Sequence, residues 1–349
     1  MNAGEQVIDF LYTEQLQVDD QWAVRTPTGF TWWAGHNAQT IEIVGEEVAP
    51  DGMVGYVIGV RTEMVADLEL TDAALADLNS GPMAGASMAG PVYDPQTGTV
   101  SLCSLVCVHE DIASWMGVLL GAAAVMQLAE APIFGEDFDD RHDGCFAISG
   151  HPELGVRLDP DEMIHAATQV FPVAGAQPLN VTESDFADVV HRHMMEPPSV
   201  GASAGGLGLA VEFPYGTDSS LCQFIGDQPH PLYGNGLLIV QRFPYKAASQ
   251  SVGIRMALEF NRDDLTSTPA GYGFGSYAYR DESICFTGFL PNLLLRDELL
   301  PSLYYSCATR ALSMSVRLLG EGWTEESFTL DHGAAGRMML GGTQNPDLN

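Results

Sequence analysis

The sequence predicts an α+β fold made of two tandem, pseudo-duplicated units, each an antiparallel sheet with flanking helices. Short runs of alternating apolar and polar residues, bounded by glycine- and proline-containing turns, fill residues 21–62 and recur after residue 205. Each series ends with a strand-like segment before a long apolar helix, Ser101–Cys107 in one case and Ser283–Phe289 in the other. A chain of 349 residues also has room for two such units.

The first unit begins with a predicted helix over residues 4–17, where Val7, Leu11 and Leu16 fall on one apolar stripe. A meander of four strands follows, and its alternation is clearest at residues 41–44. The four strands are predicted at residues 21–26, 30–35, 39–48 and 53–62.

The later elements follow in the same order in both units. In the first unit, Thr71 opens a short helix as its N-cap, and a strand at 98–108 leads into a helix at 109–130. In the second unit, helices are predicted at 182–195 and 293–319. Its strands are predicted at residues 206–214, 219–226, 235–244, 252–260, 272–279 and 283–289.

These elements divide the chain into two units separated by a less regular segment. That segment is rich in acidic residues and contains prolines, which is typical of a linker or a small intermediate subdomain. The predicted division is 1–130 for the first unit, 131–181 for the acidic segment, 182–320 for the second unit and 321–349 for a tail.

The charge of the chain is strongly negative and limits its partners. The 46 acidic residues face 14 basic ones, a formal charge of −32. Such a surface repels phosphate, so we expect neither nucleic-acid binding nor docking on anionic lipid. The expected partner is therefore a neutral or basic peptide or protein.

The six cysteines form no CxxC pair and lie mostly in apolar runs, which predicts reduced, buried thiols. The first residues lack the basic and apolar regions of a signal peptide. We therefore expect a cytoplasmic protein.

Residues 112–129 carry no charge, and they are just long enough to suggest a membrane span. No lysine or arginine flanks them, so a helix buried against a sheet is the preferred interpretation and no membrane insertion is expected. Gly117 and Gly121 have GxxxG spacing. This leaves open an oligomerising structural protein in which the helix makes a homodimer contact.

Two motifs suggest chemistry. Ser203 lies in a G-x-S-x-G pattern, but the preceding Glu196-Pro-Pro cannot form the buried strand that a nucleophile elbow needs. His191 and His193 could bind a metal with Glu196, but side chains two apart on a helix point about 200° apart. We therefore expect no enzyme, no catalytic residue, no metal and no cofactor, with a hydrolase using Ser203 or a His191/His193 metal site as the alternative.

Aromatic residues are the remaining candidates for a functional surface. Trp32 and Trp33 are adjacent and must face opposite sides of a strand, so one of them needs a cover outside the main core. Phe213 and Phe243 each open a Phe-Pro-Tyr triplet at a predicted strand end. These four side chains either pack in the interior or line an apolar groove or sheet edge that accepts a peptide.

The segment Arg25-Thr-Pro-Thr-Gly-Phe-Thr-Trp-Trp-Ala-Gly, followed by Ala38-Gln and an alternating strand, resembles a known family. It is similar to actinobacterial proteins related to YbjN and to the type III secretion chaperones, grouped as TY-Chap peptide-binding chaperones. The likeness covers residues 1–130, and 182–320 by element order alone. It implies a chaperone-like fold and a non-catalytic chaperone or adaptor that holds peptide or protein clients, often within secretion systems, so that secreted chains are among the expected clients. Trp32, Trp33, Phe213 and Phe243 are the candidate contacts that the residue pattern gives.

Overall fold

A computed structural model shows an α+β protein with two antiparallel sheets, which confirms the predicted fold class. The described residues are 1–48, 52–85, 87–166, 208–264, 274–296 and 299–320, together with isolated positions at 169, 179, 182, 184, 185 and 188. The predicted site residues Ser203, His191 and His193 lie outside them, as do the tail and most of the helix predicted at 182–195.

The N-terminal unit consists of helices packed against one antiparallel sheet. Its helices are α1 (Ala3–Phe10, continued by a π-helix at Leu11–Gln15), α2 (Asp72–Gly85) and α3 (Ala113–Arg141). Its strands are β1 (Ala23–Arg25), β2 (Gly29–Trp32), β3 (Gln39–Val48), β4 (Val54–Ala66), β5 (Gly90–Asp94), β6 (Thr99–Val108) and β7 (Cys145–Phe146). The order across the sheet is β1-β2-β3-β4-β6-β5, and β7 pairs with the end of β4.

The described part of the C-terminal unit contains two α-helices, five strands and a short 3-10 helix at Asn292–Leu294. The α-helices are α4 (Gln250–Asp263) and α5 (Leu299–Met314, continued by a π-helix at Ser315–Leu319). The strands are β8 (Gly208–Tyr215), β9 (Asp218–His230), β10 (Gly234–Pro244), β11 (Ser276–Arg280) and β12 (Ser283–Pro291). Their order is β8-β9-β10-β12-β11, the same as β2-β3-β4-β6-β5 in the first sheet.

A buried polar contact lies under the last helix of each unit, although the two glutamines that make it lie on non-equivalent strands, β3 and β10. Gln39 Nε2 donates to the carbonyl of Ala124 in α3 at 2.9 Å. Gln241 Nε2 donates to the carbonyl of Cys307 in α5 at 2.8 Å. Each sheet thus uses a buried glutamine to bind one carbonyl of its own covering helix.

The segment predicted as a strand at 252–260 is helix α4. Val252, Ile254, Met256, Leu258 and Phe260 alternate with polar or small residues, which imitates a strand. The buried set is instead helical in spacing, and the Ser249 side chain caps the helix by accepting a hydrogen bond from the Val252 amide. The cap and the packing of one helical face therefore decide against the alternation.

The expected boundary at residue 130 falls inside a helix. α3 continues through Pro132 to Arg141, and the following residues return to the N-terminal sheet, where the Ala147 amide donates to the Met64 carbonyl at 3.1 Å. Residues 145–166 therefore pack on the first unit, although the sequence predicted a linker or separate subdomain from 131 onward.

Helix α3 is long and apolar enough to cross a membrane, but 78% of its most apolar 18-residue segment is buried within the protein. Its GxxxG face is used inside the chain. A Cβ at Gly117 would lie 3.2 Å from Phe10, and one at Gly121 would lie 2.4 Å from Gln15. These glycines let α1 pack closely on α3, so this face is not open for the predicted dimer contact.

The two units join along β5, α2, α4 and β11 and share one apolar core. Asn79 of α2 exchanges hydrogen bonds with the backbone of Tyr279, at 2.8 and 3.0 Å. Asn261 of α4 does the same for Tyr277, at 2.8 and 3.2 Å. The outer edge of β11 is therefore capped by asparagine amides instead of a further strand.

Candidate functional site

The tryptophans predicted as contacts lie inside the N-terminal unit. Trp32 is fully buried and its Nε1 donates to Gln39 Oε1 at 2.9 Å. Trp33 is also buried, with Nε1 donating to Ser149 Oγ at 3.2 Å and its ring edge-on to His151 at 5.0 Å. Residues 149–151 thus supply the separate cover that the second tryptophan needs.

The phenylalanines predicted as contacts also pack in the interior. Phe213 lies against Tyr304 of α5, with ring centroids 5.3 Å apart, and Phe243 lies against Tyr215 at 5.8 Å. Both side chains are buried. The structure therefore places all four predicted contact residues in packing positions and none on an open groove.

The edge strand β8 offers a different candidate. It pairs with β9 along its whole length from Gly208 to Tyr215, and no other strand of the described ranges pairs with it. The turn between β8 and β9 has two residues, so Tyr215 and Asp218 form the closing hydrogen-bonded pair. By antiparallel alternation, the backbone groups of Ala210 and Glu212 then point away from β9, toward the free edge.

An apolar strip lies on the sheet face next to this edge. Strand alternation puts its members on the face opposite α5, because their neighbours Phe213 and Gln241 contact that helix. Each member is only half-buried, and the members are Leu221, Ile225, Leu238 and Val240. The half-buried Gln223 lies on the same face between Leu221 and Ile225, paired with Ala210 on one side and Val240 on the other. The exposed residues Glu212 and Arg242 border it on either side of Leu221, with which both are paired.

The sequence does contain an indication of this strip, but it is a continuous apolar run and not an alternating pattern. The run Leu237-Leu-Ile-Val240 is apolar at every position, so both faces of β10 are apolar. Such a strand is usually covered on both faces. Here one face packs under α5, and the other is left half-open.

The corresponding face of the N-terminal sheet has a small buried apolar cluster. Val57, Leu105 and Cys107 on that face are 2–4% exposed. Burial raises the pKa of the Cys103 and Cys107 thiols to about 12, so both stay protonated and unreactive near neutral pH. Asn261 and Asp264 of the C-terminal unit lie beside Cys103 across a small cavity.

That cavity does not hold a substrate. Its volume of about 20 Å³ is enough for about one water molecule. Asp264 at its rim is bound to Arg317 at 3.0 Å, and burial raises the pKa of the Asp264 carboxyl. Among the described residues, no three His, Cys, Asp or Glu side chains come together as metal ligands.

Comparison with known proteins adds no match, whether to a family profile, to a curated protein or to a solved structure.

Proposed function

We propose that this protein is a non-catalytic cytoplasmic chaperone or adaptor whose C-terminal sheet binds an extended peptide segment of a client protein. The carrying observation is the outer edge of β8, with which no strand of the described ranges pairs, on the same sheet as the half-buried residues Leu221, Ile225, Leu238 and Val240. Edge pairing supplies affinity through the main chain, and adjoining apolar side chains supply preference. The six cysteines are all free thiols, as a reducing compartment requires.

The client strand would pair with the outward backbone groups of Ala210 and Glu212. Pro214 has no N–H, so pairing would weaken toward the end of β8. Every second client side chain would fall on the same face as the apolar strip, beside Ala210 and Glu212 of β8, with Leu221 one strand further in. A client with apolar residues at alternate positions fits this face.

Charge favours a basic client. Glu212 is exposed on the edge itself, and the whole chain has a formal charge of −32. Long-range attraction raises the association rate for cationic segments and is screened by salt. The proposed client is therefore an extended segment with lysine or arginine flanking alternate apolar residues.

The experiment is a displayed library of peptides of about ten residues, the length of a typical strand with its flanks, selected on the full chain. Selected peptides are then titrated against wild type, Ala210→Pro and Ala210→Val. Proline removes the outward N–H of the edge, whereas valine keeps it and favours a strand. We expect proline to lower affinity at least about tenfold and valine to leave it nearly unchanged.

Two results would overturn the proposal. One is a selection that yields no alternating basic-apolar peptide. The other is equal binding by the proline variant when its melting curve matches that of wild type.

A further inference from the structure

A buried carboxylate lies at the junction of the two units, away from the proposed peptide edge. Glu130 is in α3 and is fully buried. Its Oε1 accepts hydrogen bonds from the amide and the hydroxyl of Ser87, at 3.0 and 3.1 Å. Ser87 lies in the connection between α2 and β5. Its two hydrogen bonds therefore tie the segment just before β5 to Glu130 in α3.

The C-terminal unit reaches this carboxylate from the other side. Tyr233, in the turn between β9 and β10, faces Glu130, and its hydroxyl donates to the carbonyl of Met126 at 3.5 Å. The Ser87 carbonyl accepts a hydrogen bond from the Phe289 amide of β12 at 3.0 Å. Glu130 is therefore linked to the second unit through both Tyr233 and Ser87.

The groups around Glu130 leave an ionised carboxylate poorly compensated. Ser87 supplies two neutral donors, and Tyr233 is the titratable group that faces the carboxyl from the C-terminal unit. His230 lies behind Tyr233, stacked on its ring at 5.0 Å. Glu130 Oε2 is buried with no hydrogen-bond partner in the described part of the chain. A buried charge without a cation costs free energy that a neutral carboxyl does not.

We propose that Glu130 is a pH-sensitive latch that holds the β9–β10 turn against α3 when protonated and loosens it when ionised. Burial raises the pKa of Glu130 to about 7, which places this change near neutral pH. Burial and the nearby Glu130 carboxylate both raise the pKa of Tyr233, so that phenol stays protonated throughout. In the opened state the carboxylate gains water and returns toward its ordinary pKa of about 4.3.

The test is hydrogen–deuterium exchange of residues 228–234 in the full chain at about pH 5.5 and about pH 8.5, compared between wild type and Glu130→Gln. The comparison at each pH cancels the intrinsic pH dependence of amide exchange. Glutamine keeps an acceptor for Ser87 and cannot ionise. We expect the protection of this turn, relative to the variant, to fall on the order of tenfold in wild type as the pH rises.

Glu47→Gln is the matched control. Glu47 is another carboxyl whose pKa is raised by burial, but it lies in β3, outside the junction contacts. This substitution should leave the exchange of 228–234 as in wild type at both pH values. Equal pH dependence in wild type and Glu130→Gln would overturn the latch.

A second variant keeps the proposal testable if glutamine prevents folding. Tyr233→Phe retains the ring that stacks on His230 and removes the hydroxyl that faces Glu130. The 13C carboxyl resonance of Glu130 should still titrate well above the ordinary value of about 4.3, because the burial that raises its pKa is unchanged. A titration near the ordinary value in both proteins would overturn the proposal.

Discussion

The two units have the same strand order but differ in the polar layer beneath their last helices. In the N-terminal unit this layer is neutral: Thr62 accepts from Gln39 at 2.7 Å and donates to Gln127 of α3 at 2.9 Å. Gln127 in turn donates to Ser104 at 2.8 Å. In the C-terminal unit, Arg310 occupies the place of Gln127, three residues after the helix carbonyl that binds the sheet glutamine.

Arg310 brings a buried charge into the second layer. It is 2% exposed, donates to Gln241 at 3.4 Å, and lies over the Phe286 ring at 3.6 Å. The same strand order is therefore compatible with two polar layers beneath the last helix. One is a neutral chain of hydrogen bonds, and the other is a guanidinium that both stacks on a ring and donates hydrogen bonds. The charged version should be the more sensitive to truncation, since desolvated ionic groups depend most on their partners.

The largest expected effect therefore comes from Arg310→Ala. Losing the guanidinium removes its stacking on Phe286 and its donors, and leaves Gln241 and the buried Asp264 less compensated. We expect a loss of about 3–5 kcal/mol in the free energy of unfolding. Urea unfolding followed by circular dichroism measures it, and a loss under about 1 kcal/mol would remove the distinction between the two layers.

Gln127→Ala is the corresponding truncation in the neutral layer of the N-terminal unit. Thr62 and Ser104 would each lose a partner while remaining buried. The expected cost is about 2 kcal/mol, smaller than for Arg310 because no charge is involved. The same urea experiment applies, and a cost equal to or above that of Arg310→Ala would reverse the comparison.

The outer faces of the two sheets give a smaller contrast. Val57 of the first sheet is 3% exposed, whereas Leu238 of the second is half-buried. We expect Val57→Ala to cost about 1–2 kcal/mol, and Leu238→Ala to cost less despite its larger side chain. Leu238→Ala should also weaken binding of the selected peptides, and Val57→Ala should not. Equal peptide binding by both variants would argue against the strip as the contact.

Much of the fold could be predicted from local pattern, but the candidate site could not. The meander at 21–62 and the two strand–helix endings have alternation and length that survive in the structure. Residues 252–260 fit strand and helix patterns equally well, so only the Ser249 cap and tertiary packing decided between them. Burial of Trp33 depends on Ser149 and His151, more than 100 residues away, a contact that no local pattern contains.

The exposure of Leu238 and Val240 likewise depends on which helix covers which face, a property of the assembled units. Aromatic residues drew attention because they are large, yet large apolar side chains are the ones that a core buries first. The open strip consists of smaller aliphatic residues in strands whose other face is already covered by α5.

The smallest expected effect tests the electrostatic part of the proposed function. Glu212 is exposed on the free edge, and Glu212→Gln keeps its size and its outward backbone groups while removing one negative charge. We expect affinity for a basic selected peptide to fall only a few-fold, about 0.3–1 kcal/mol, with no change in unfolding free energy. Titrations at low and high salt measure the difference. Because salt screens exposed charges, the gap between wild type and variant should close as ionic strength rises. A gap that persists at high salt would mean that Glu212 binds the client through a specific, desolvated contact and not through its charge at a distance.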